Sequence, residues 1–220
     1  MNKKSVLLVG ATGLVGNECL LQLSENDHYD KVVVLTRRPL PESLILPKVE
    51  NHVIDFDDPE SYKDLVSANH VICTLGTTIK KAGSNENFYR VDYTYPYEVA
   101  LAALEKGAEH FLIITAIGSD AKSKFFYNRV KGEIENSLMK MEYSSVSIFR
   151  PSLLLGKRNE FRFGEWLLNI TMGPLSFLIP PKYRPVNGHH LADVIVNTGV
   201  KNRPGLRILE SADIIKFDAS

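Results

Sequence analysis

The sequence carries no excess of charge of either sign. Its 26 lysine and arginine residues are balanced by 26 aspartate and glutamate residues. A protein without net charge has no broad basic surface that could attract nucleic acid or an anionic membrane. The charge balance therefore argues against partners of both kinds, and a small molecule becomes the expected ligand.

Cysteine is scarce, and long apolar runs are missing. The only cysteines, Cys19 and Cys73, fall in a predicted helix and a predicted buried strand, which is typical of small core residues in a reducing compartment. The apolar run over residues 6–9 is too short for a signal peptide. The most apolar long segment, residues 166–181, is interrupted by polar residues, glycine and proline, so it falls short of a membrane span. These absences predict a cytoplasmic protein.

Three glycines near the start of the chain separate a strand pattern from a helix pattern. After the apolar residues 6–9, Gly10, Gly13 and Gly16 follow at G-x-x-G-x-x-G spacing, and apolar residues then recur at helical spacing from Leu14. A strand that turns directly into a helix directs free helix N–H groups into one small volume, where a pyrophosphate can bind. Gly10 permits the turn, Gly13 admits the phosphate, and Gly16 allows close helix packing. The stretch predicts a dinucleotide site; a glycine-rich surface turn is the alternative.

Short apolar runs alternate with helical patterns along the rest of the chain. Such strands indicate a parallel sheet covered on both faces, and right-handed crossovers favour a doubly wound α/β Rossmann sheet of order 3-2-1-4-5-6. We expect one domain over residues 1–220, with residues 156–220 contributing a small C-terminal lobe on the substrate side. The predicted strands are residues 6–9, 31–36, 51–54, 70–75, 110–115 and 145–149, with a late strand at 206–209; helices are predicted to begin at Asp58-Pro59 and to cover 88–106, 124–141, 165–171 and 190–200, with a loop over 80–87.

The end of the second predicted strand indicates which dinucleotide is preferred. An acidic residue there would bind the ribose 2′-hydroxyl of NAD, but this chain has Arg37 and Arg38, whose guanidinium groups suit a 2′-phosphate. A solvated basic turn is the alternative. We expect NADP(H) to be preferred over NAD(H), and Asp55 either accepts a hydrogen bond from the adenine or starts a helix.

Tyr127 and Lys131 lie four residues apart on a predicted helix, so their side chains share one face. A tyrosine phenol ordinarily has a pKa of about 10, and a neighbouring ammonium or an oxidised nicotinamide favours its phenolate. The Y-x-x-x-K motif is weak alone, but this match is the only one in the chain and it follows the fifth predicted strand. Thr115 and Ser119 are candidates for a hydroxyl that binds the substrate oxygen, with turn capping as the alternative.

Other features predict no further chemistry. The adjacent His189 and His190 open a predicted helix, and no second cluster of ligands has the spacing of a metal site. We therefore expect no metal. The sequence leaves a monomer and a homodimer equally open.

Several motifs together resemble those of one superfamily. Residues 10–16 (GATGLVG), residues 75–78 (LGTT) and the pair Tyr127 and Lys131 are similar to the short-chain dehydrogenase/reductase superfamily, of its extended or atypical kind. Further stretches resemble its Tat-interacting-protein oxidoreductase branch more closely: LGTTIKKAG at 75–83, FYRVD at 88–92, VKGE at 130–133, FRP at 149–151 and GEW at 164–166. The similarity covers most of the chain, from about residue 5 to about residue 200.

The resemblance implies roles for individual residues. Tyr127 and Lys131 would be the catalytic pair, and Arg162 would close over the cofactor or the substrate. The sequence departs from the wider superfamily at Asp92, where an asparagine is usual, and at Thr115-Ala116, which replaces a serine pair. The remaining cofactor contacts implied are Thr12, Gly13, Leu14 and Val15 at the pyrophosphate, Arg37 and Arg38 at the 2′-phosphate, Leu75 and Gly76 beneath the adenosine, and Leu154 beside the nicotinamide.

The expected activity is hydride transfer between NADP(H) and a small carbonyl or alcohol substrate. A protein that senses NADP(H) without turnover is the second interpretation, because a dinucleotide fold does not dictate chemistry. A sugar-nucleotide epimerase or dehydratase-like enzyme is the third, and the short chain after Gly156 leaves little room for the lobe that such enzymes need.

Overall fold

A computed structural model describes residues 3–156 and 180–217 of the chain, and its centre is a parallel sheet. The strands are β1 (Lys4–Val9), β2 (Tyr29–Thr36), β3 (Val49–Val53), β4 (His70–Cys73), β5 (His110–Ile114), β6 (Ser145–Arg150), β7 (Leu154–Leu155), β8 (Val186–Asn187) and β9 (Gly205–Glu210). Seven of them form one sheet of order β3-β2-β1-β4-β5-β6-β9, while β7 and β8 form a small parallel sheet. The predicted order is confirmed, and the late strand extends it beside β6.

Helices cover both faces of the large sheet. They are α1 (Leu14–Glu25), α2 (Ile79–Ala82), α3 (Asn85–Tyr89), α4 (Tyr95–Glu105), α5 (Phe126–Leu138), α6 (Gly188–Lys201) and α7 (Ser211–Lys216), and a π-helical stretch, Arg90–Thr94, joins α3 to α4. One apolar core lies between the sheet and helices α1 and α6. A second lies between the sheet and helices α4 and α5. This arrangement is the doubly wound α/β fold expected from the sequence.

Strand β1 shows why the apolar runs of this sequence do not alternate with polar residues. Val6 and Leu8 belong to one core, and Leu7 and Val9 belong to the other. All four are 0% exposed, because successive side chains of a strand point to opposite faces. Burying each such side chain is worth about 1.5–3 kcal/mol, so a continuous apolar run is the pattern that a two-faced sheet requires.

Two local predictions were wrong. The helix expected at Asp58-Pro59 is a single 3-10 turn, Pro59–Ser61, and the Ser61 hydroxyl donates to the Asp58 carbonyl at 2.7 Å, which competes with helical pairing. The segment 80–87, expected to be a loop, contains most of α2 and most of α3. Both helices begin at a hydroxyl cap, because Thr78 accepts from the Lys81 N–H and Ser84 from the Asn87 N–H.

Two predictions concern a part of the chain that the structure does not describe. The helix predicted over residues 165–171 and the candidate Arg162 lie outside the described residues. Within residues 3–156 and 180–217, no helix is both long and apolar enough to cross a membrane.

Candidate active site

The junction of β1 with α1 is built as the glycine spacing predicts. Gly10 turns the chain in the left-handed region, with a φ of 89°, and its carbonyl accepts the Gly13 N–H at 2.9 Å. Gly13 caps α1 without a side-chain hydrogen bond, and the first turn of the helix holds no acidic residue. The N–H groups of that turn, together with the positive end of the helix dipole, are therefore suited to an anion.

The glycines at this junction leave no room for a side chain. A Cβ on Gly16 would lie 2.1 Å from the Gly10 carbonyl oxygen, and a Cβ on Gly10 would lie 2.5 Å from Thr74 Oγ1. The Thr74 hydroxyl in turn donates to the Val9 carbonyl at 3.0 Å. The close contact between α1, β1 and the end of β4 thus depends on hydrogen atoms at these positions.

Replacing Gly16 by alanine should destabilise the protein by about 2–3 kcal/mol, because the new Cβ must displace backbone rather than a flexible side chain. NADPH binding should weaken with it, since the same shift moves the start of α1. Chemical denaturation and NADPH fluorescence titration would measure both effects. Glu25→Ala, an exposed position on the same helix, is the control, and a Gly16→Ala variant as stable as this control would contradict the packing argument.

A cavity of about 410 Å³ opens beside the start of α1. Helix α6 begins at the same cavity, where the Asn187 side chain accepts the His189 N–H at 2.8 Å, so two helix N-termini face one space. The Leu14 side chain packs closely against Gly156 and Gly188, the first of which lies just after β7 and the second at the start of α6. A Cβ on Gly156 would lie 2.3 Å from Leu14 Cδ1, and a Cβ on Gly188 would lie 3.1 Å from Leu14 Cγ. The cavity is lined by Thr12, Gly13, Leu14, Asn17, Glu18, Gly156, Asn187 and His189.

The two adjacent histidines have ordinary local partners. His189 Nδ1 pairs with Glu18 at 2.8 Å, and His190 Nε2 pairs with the Ile214 carbonyl at 2.8 Å. Among the residues that the structure describes, no three His, Cys, Asp or Glu side chains gather as a metal site would require.

Tyr127 and Lys131 share one face of α5, as their spacing predicts. Tyr127 is half-buried, and its ring contacts Phe88 with centroids 5.4 Å apart. The Lys131 ammonium lies 2.6 Å from Asp92 Oδ1, and the two side chains are 5% and 0% exposed. A Cβ on Gly76 would lie 3.7 Å from Lys131 Nζ, so Gly76 passes directly over the ion pair.

Asp92 is a residue of the site whose contribution sequence reasoning missed. The sequence shows Asp92 only as a departure from the expected asparagine, whereas in the structure its second oxygen, Oδ2, also accepts the Thr77 N–H at 2.9 Å. Burial opposes the charge of Lys131, but the Asp92 carboxylate, together with Tyr127 and Cys73, more than offsets this effect, so the pKa of Lys131 is raised above its usual value. Lys131 therefore carries its positive charge at neutral pH.

The two candidate hydroxyls already donate within the protein. Thr115 Oγ1 donates to Glu135 Oε1 at 2.6 Å, and Glu135 is also held by Arg150, whose Nε donates to the same oxygen at 3.0 Å. Ser119 Oγ donates to the Ala116 carbonyl at 2.7 Å, as a turn-capping hydroxyl does. A role in binding the substrate oxygen stays a prediction for both, and it requires one of them to exchange its acceptor.

The remaining predicted cofactor residues lie along the carboxyl edge of the sheet. Arg37 and Arg38 are exposed just after β2. Asp55 is exposed after β3, and its Oδ1 accepts the Asp57 N–H at 2.9 Å, which is a local turn contact. Leu154 lies in β7 and packs against the core below α1 and α6. The other predicted contacts at this edge are Val15, which is buried, and Leu75, which is half-buried.

Solved structures with this architecture bind nicotinamide dinucleotides. The Bordetella bronchiseptica enzyme WbmH in complex with NAD+ has a TM-score of 0.71 and 16% identity, over 95% of this chain and 76% of that one. The human epimerase family protein SDR39U1 with NADPH has a TM-score of 0.63 and 15% identity, over 95% and 77%. The chain thus has the Rossmann-like fold of NAD(P)-binding short-chain dehydrogenase/reductase and epimerase proteins.

Sequence comparison narrows this class to one family. The HIM1 family model matches residues 47–173, and the chain belongs to the HIM1 family. Protein HTATIP2 of Rattus norvegicus is 36% identical over 177 residues, covering 80% of this chain and 73% of that protein. Protein FMP52, mitochondrial, of Eremothecium gossypii is 36% identical over 222 residues, covering 97% and 96%. The resemblance seen in the sequence motifs is confirmed.

These relatives correct one expectation. The fungal FMP52 proteins similar to this chain are named mitochondrial, which contradicts the cytoplasmic location predicted from composition. The prediction was wrong because scarce cysteines indicate a reducing environment and do not distinguish one reducing compartment from another.

Proposed function

We propose that this protein is an NADP(H)-dependent oxidoreductase that transfers hydride to or from a small carbonyl or alcohol substrate. One observation carries the proposal: the charged, buried Lys131 lies one helical turn from Tyr127 on α5 and directly against Gly76, in the chain that follows β4. The ion pair between Lys131 and Asp92 at 2.6 Å keeps that lysine charged in a dry position. A protein that only bound the cofactor would need no such arrangement.

The residues present fit a dinucleotide at this edge. The first turn of α1 begins at Gly13 without a side-chain cap, so its backbone N–H groups are available to a pyrophosphate, which Thr12, Gly13, Leu14 and Val15 would line. Gly76 would lie beneath the adenosine side together with Leu75, and Asp55 would face the adenine. Leu154 would flank the nicotinamide, and Lys131 would hold its ribose hydroxyls.

The side chains of this chain would handle the proton. The nicotinamide supplies the hydride when it is bound. Tyr127 would donate its phenolic proton to the carbonyl oxygen during reduction and accept it from the alcohol during oxidation. The Lys131 ammonium would stabilise the phenolate that remains after donation. If Thr115 or Ser119 released its present acceptor, its hydroxyl would orient the substrate oxygen.

The direct test is consumption of NADPH with a panel of small aldehydes and ketones, followed by the drop in NADPH absorbance. Turnover of at least one carbonyl compound is the expected result. Tight NADPH binding with no turnover across the panel would favour a cofactor-sensing role, and binding of a sugar nucleotide measured by calorimetry would favour an epimerase-like enzyme.

The arginines after β2 should decide the choice of cofactor. Replacing Arg37 and Arg38 together by alanine should weaken NADPH binding by about a hundredfold or more, because each of the two lost charge-assisted hydrogen bonds to a phosphate contributes about 1.5–3 kcal/mol. NADH, which lacks the 2′-phosphate, should bind with nearly unchanged affinity. Fluorescence titration with both cofactors measures the difference.

The matched control is Arg203→Ala, which removes an exposed arginine just before β9, at the opposite edge of the sheet. It should leave both affinities unchanged. Equal weakening of NADPH and NADH in the double variant would contradict the assignment of these arginines to the 2′-phosphate.

A further inference from the structure

The π-helical stretch Arg90–Thr94 determines where the Asp92 carboxylate points. Phe88, Asp92, Pro96 and Ala100 are all buried, so the inward-facing side chains recur at intervals of four residues. In a regular α-helix this spacing would drift around the axis, because one turn takes 3.6 residues. The wider π turn removes part of that drift, and π-helical turns inside helices occur frequently at functional sites. In this protein the π turn keeps the Asp92 carboxylate on the apolar side of the helix, facing α5.

The Asp92 carboxylate joins two parts of the site. Its Oδ1 lies 2.6 Å from the Lys131 ammonium on α5, and its Oδ2 accepts the Thr77 N–H at 2.9 Å. A Cβ on Gly76 would lie only 3.5 Å from Oδ1. The chain after β4, where the cofactor is proposed to lie, and the helix that carries Tyr127 are therefore fastened to one side chain.

We propose that Asp92 is a positioning residue, which holds Lys131 charged and in place behind Tyr127 and fixes the Gly76–Thr77 turn against it. An asparagine in this position could accept the Thr77 N–H equally well, but it could not neutralise Lys131. A buried cation without a partner is strongly disfavoured, so the charge of Lys131 depends on the carboxylate. The consequence for catalysis rests on the proposed function, whereas the charge of Lys131 does not.

The groups around Lys131 make the expected direction clear. Besides Asp92, the titratable groups that face its ammonium are Tyr127 on the same helix and Cys73 at the end of β4. Burial raises the pKa of the Cys73 thiol to about 12, so this group is neutral and cannot replace the carboxylate. When Asp92 is changed to asparagine, the effect of burial on Lys131 is no longer opposed by a carboxylate, and the pKa of Lys131 should fall.

The test is an NMR titration of the lysine side-chain carbons in the protein without added cofactor, with the Lys131 signal assigned from a Lys131→Arg variant. In the wild-type protein Lys131 should release its proton only above the usual pH range of lysine. In Asp92→Asn its proton dissociation constant should increase by about tenfold or more. An unchanged titration of Lys131 in a folded Asp92→Asn variant would overturn the proposal.

Two further variants sharpen the measurement. Glu135→Gln makes the same change of carboxylate to amide one helical turn further along α5, where the carboxylate is paired with Arg150. It should change the proton dissociation constant of Lys131 by less than about threefold, because the charge that it removes is already neutralised by Arg150. Asp92→Glu keeps the charge and should restore the wild-type titration. If Asp92→Asn fails to fold, Asp92→Glu still tests the proposal. A proton dissociation constant of Lys131 that differs by about tenfold or more from the wild-type value in that variant would contradict the role of the charge.

Turnover supplies a separate readout. In Asp92→Asn, the alkaline limb of the pH profile of kcat for carbonyl reduction should move to lower pH, because Lys131 loses its proton earlier, while KM for NADPH should change by less than about threefold. A merely structural role would lower kcat equally at every pH and would overturn the proposal. Failure to find any turnover would count against the proposed function alone, because the Lys131 titration needs no substrate.

Discussion

Replacing Tyr127 by phenylalanine should abolish NADPH-dependent carbonyl reduction while NADPH binding stays nearly intact. The phenolic hydroxyl is the proton donor in the proposed reaction, and positioned acid–base groups contribute about 10²–10⁴-fold to rate. The phenylalanine ring keeps the contact with Phe88, whose centroid lies 5.4 Å from that of Tyr127. The change therefore removes one oxygen atom and leaves the packing of α5 undisturbed.

Comparison of two tyrosines makes this prediction specific. Tyr97 is also half-buried and stacks on Tyr93 with centroids 5.8 Å apart, outside the site. Tyr97→Phe should retain wild-type turnover, with kcat and KM measured under the same conditions. A Tyr127→Phe variant with full activity would show that the proton comes from another group, and a loss of NADPH binding in that variant would show that Tyr127 serves the cofactor only.

Acid should destabilise the protein strongly through two histidines at the amino edge of the sheet. His70 begins β4 and His110 begins β5, and both are 0% exposed. Burial lowers the pKa of His70 to about 3 and that of His110 to about 4. His70 Nε2 and His110 Nδ1 have no hydrogen-bond partner. Glu109 near His70 and Asn202 beside His110 favour an added proton, but burial outweighs both and keeps the pKa of each histidine low.

The sign of the pH dependence follows from these pKa values. Both histidines bind protons more readily in the unfolded chain, where their pKa is about 6.5, so the free energy of unfolding is greatest above that pH and falls as the pH drops below it. Between pH 7.5 and pH 5, each histidine should remove about 2 kcal/mol, or about 4 kcal/mol together. This loss is a large part of the 5–15 kcal/mol that is typical of a folded domain.

Urea denaturation at the two pH values measures the loss. A variant with both His70→Gln and His110→Gln should lose much less stability between them, whatever its stability at neutral pH. His189→Gln, at an exposed side chain, should lose as much as the wild-type protein. An unfolding free energy of the wild-type protein that does not change between the two pH values would contradict the prediction.

The sequence predicts the sheet well because apolar runs buried on both faces have few other interpretations. Strand β1 is the clearest case, since its four apolar residues divide between two cores. The Y-x-x-x-K spacing likewise predicts that Tyr127 and Lys131 share a helix face, because a helical period of 3.6 residues brings positions i and i+4 together. Local periodicity is sufficient in both cases.

The parts of the site that depend on contacts distant in sequence could not be predicted in this way. The pairing of Asp92 with Lys131 depends on a π turn, and no residue type marks such a turn. The contact of Thr115 with Glu135 joins a strand end to the third turn of α5. Glu135 follows Lys131 by one helical turn, so its position on the same face could have been read from the sequence, but its partner could not.

Leu14 also links two distant parts of the chain to the start of α1. Its side chain lies in the first turn of α1 and is held between Gly156 and Gly188, two positions separated by a long stretch of chain. Both ends of that stretch are thus anchored at one leucine beside the proposed dinucleotide cradle. A larger residue at Gly156 or at Gly188 would press on Leu14 and so shift the helix start at the proposed cofactor site, which couples the residue type at both glycines to the geometry of that site.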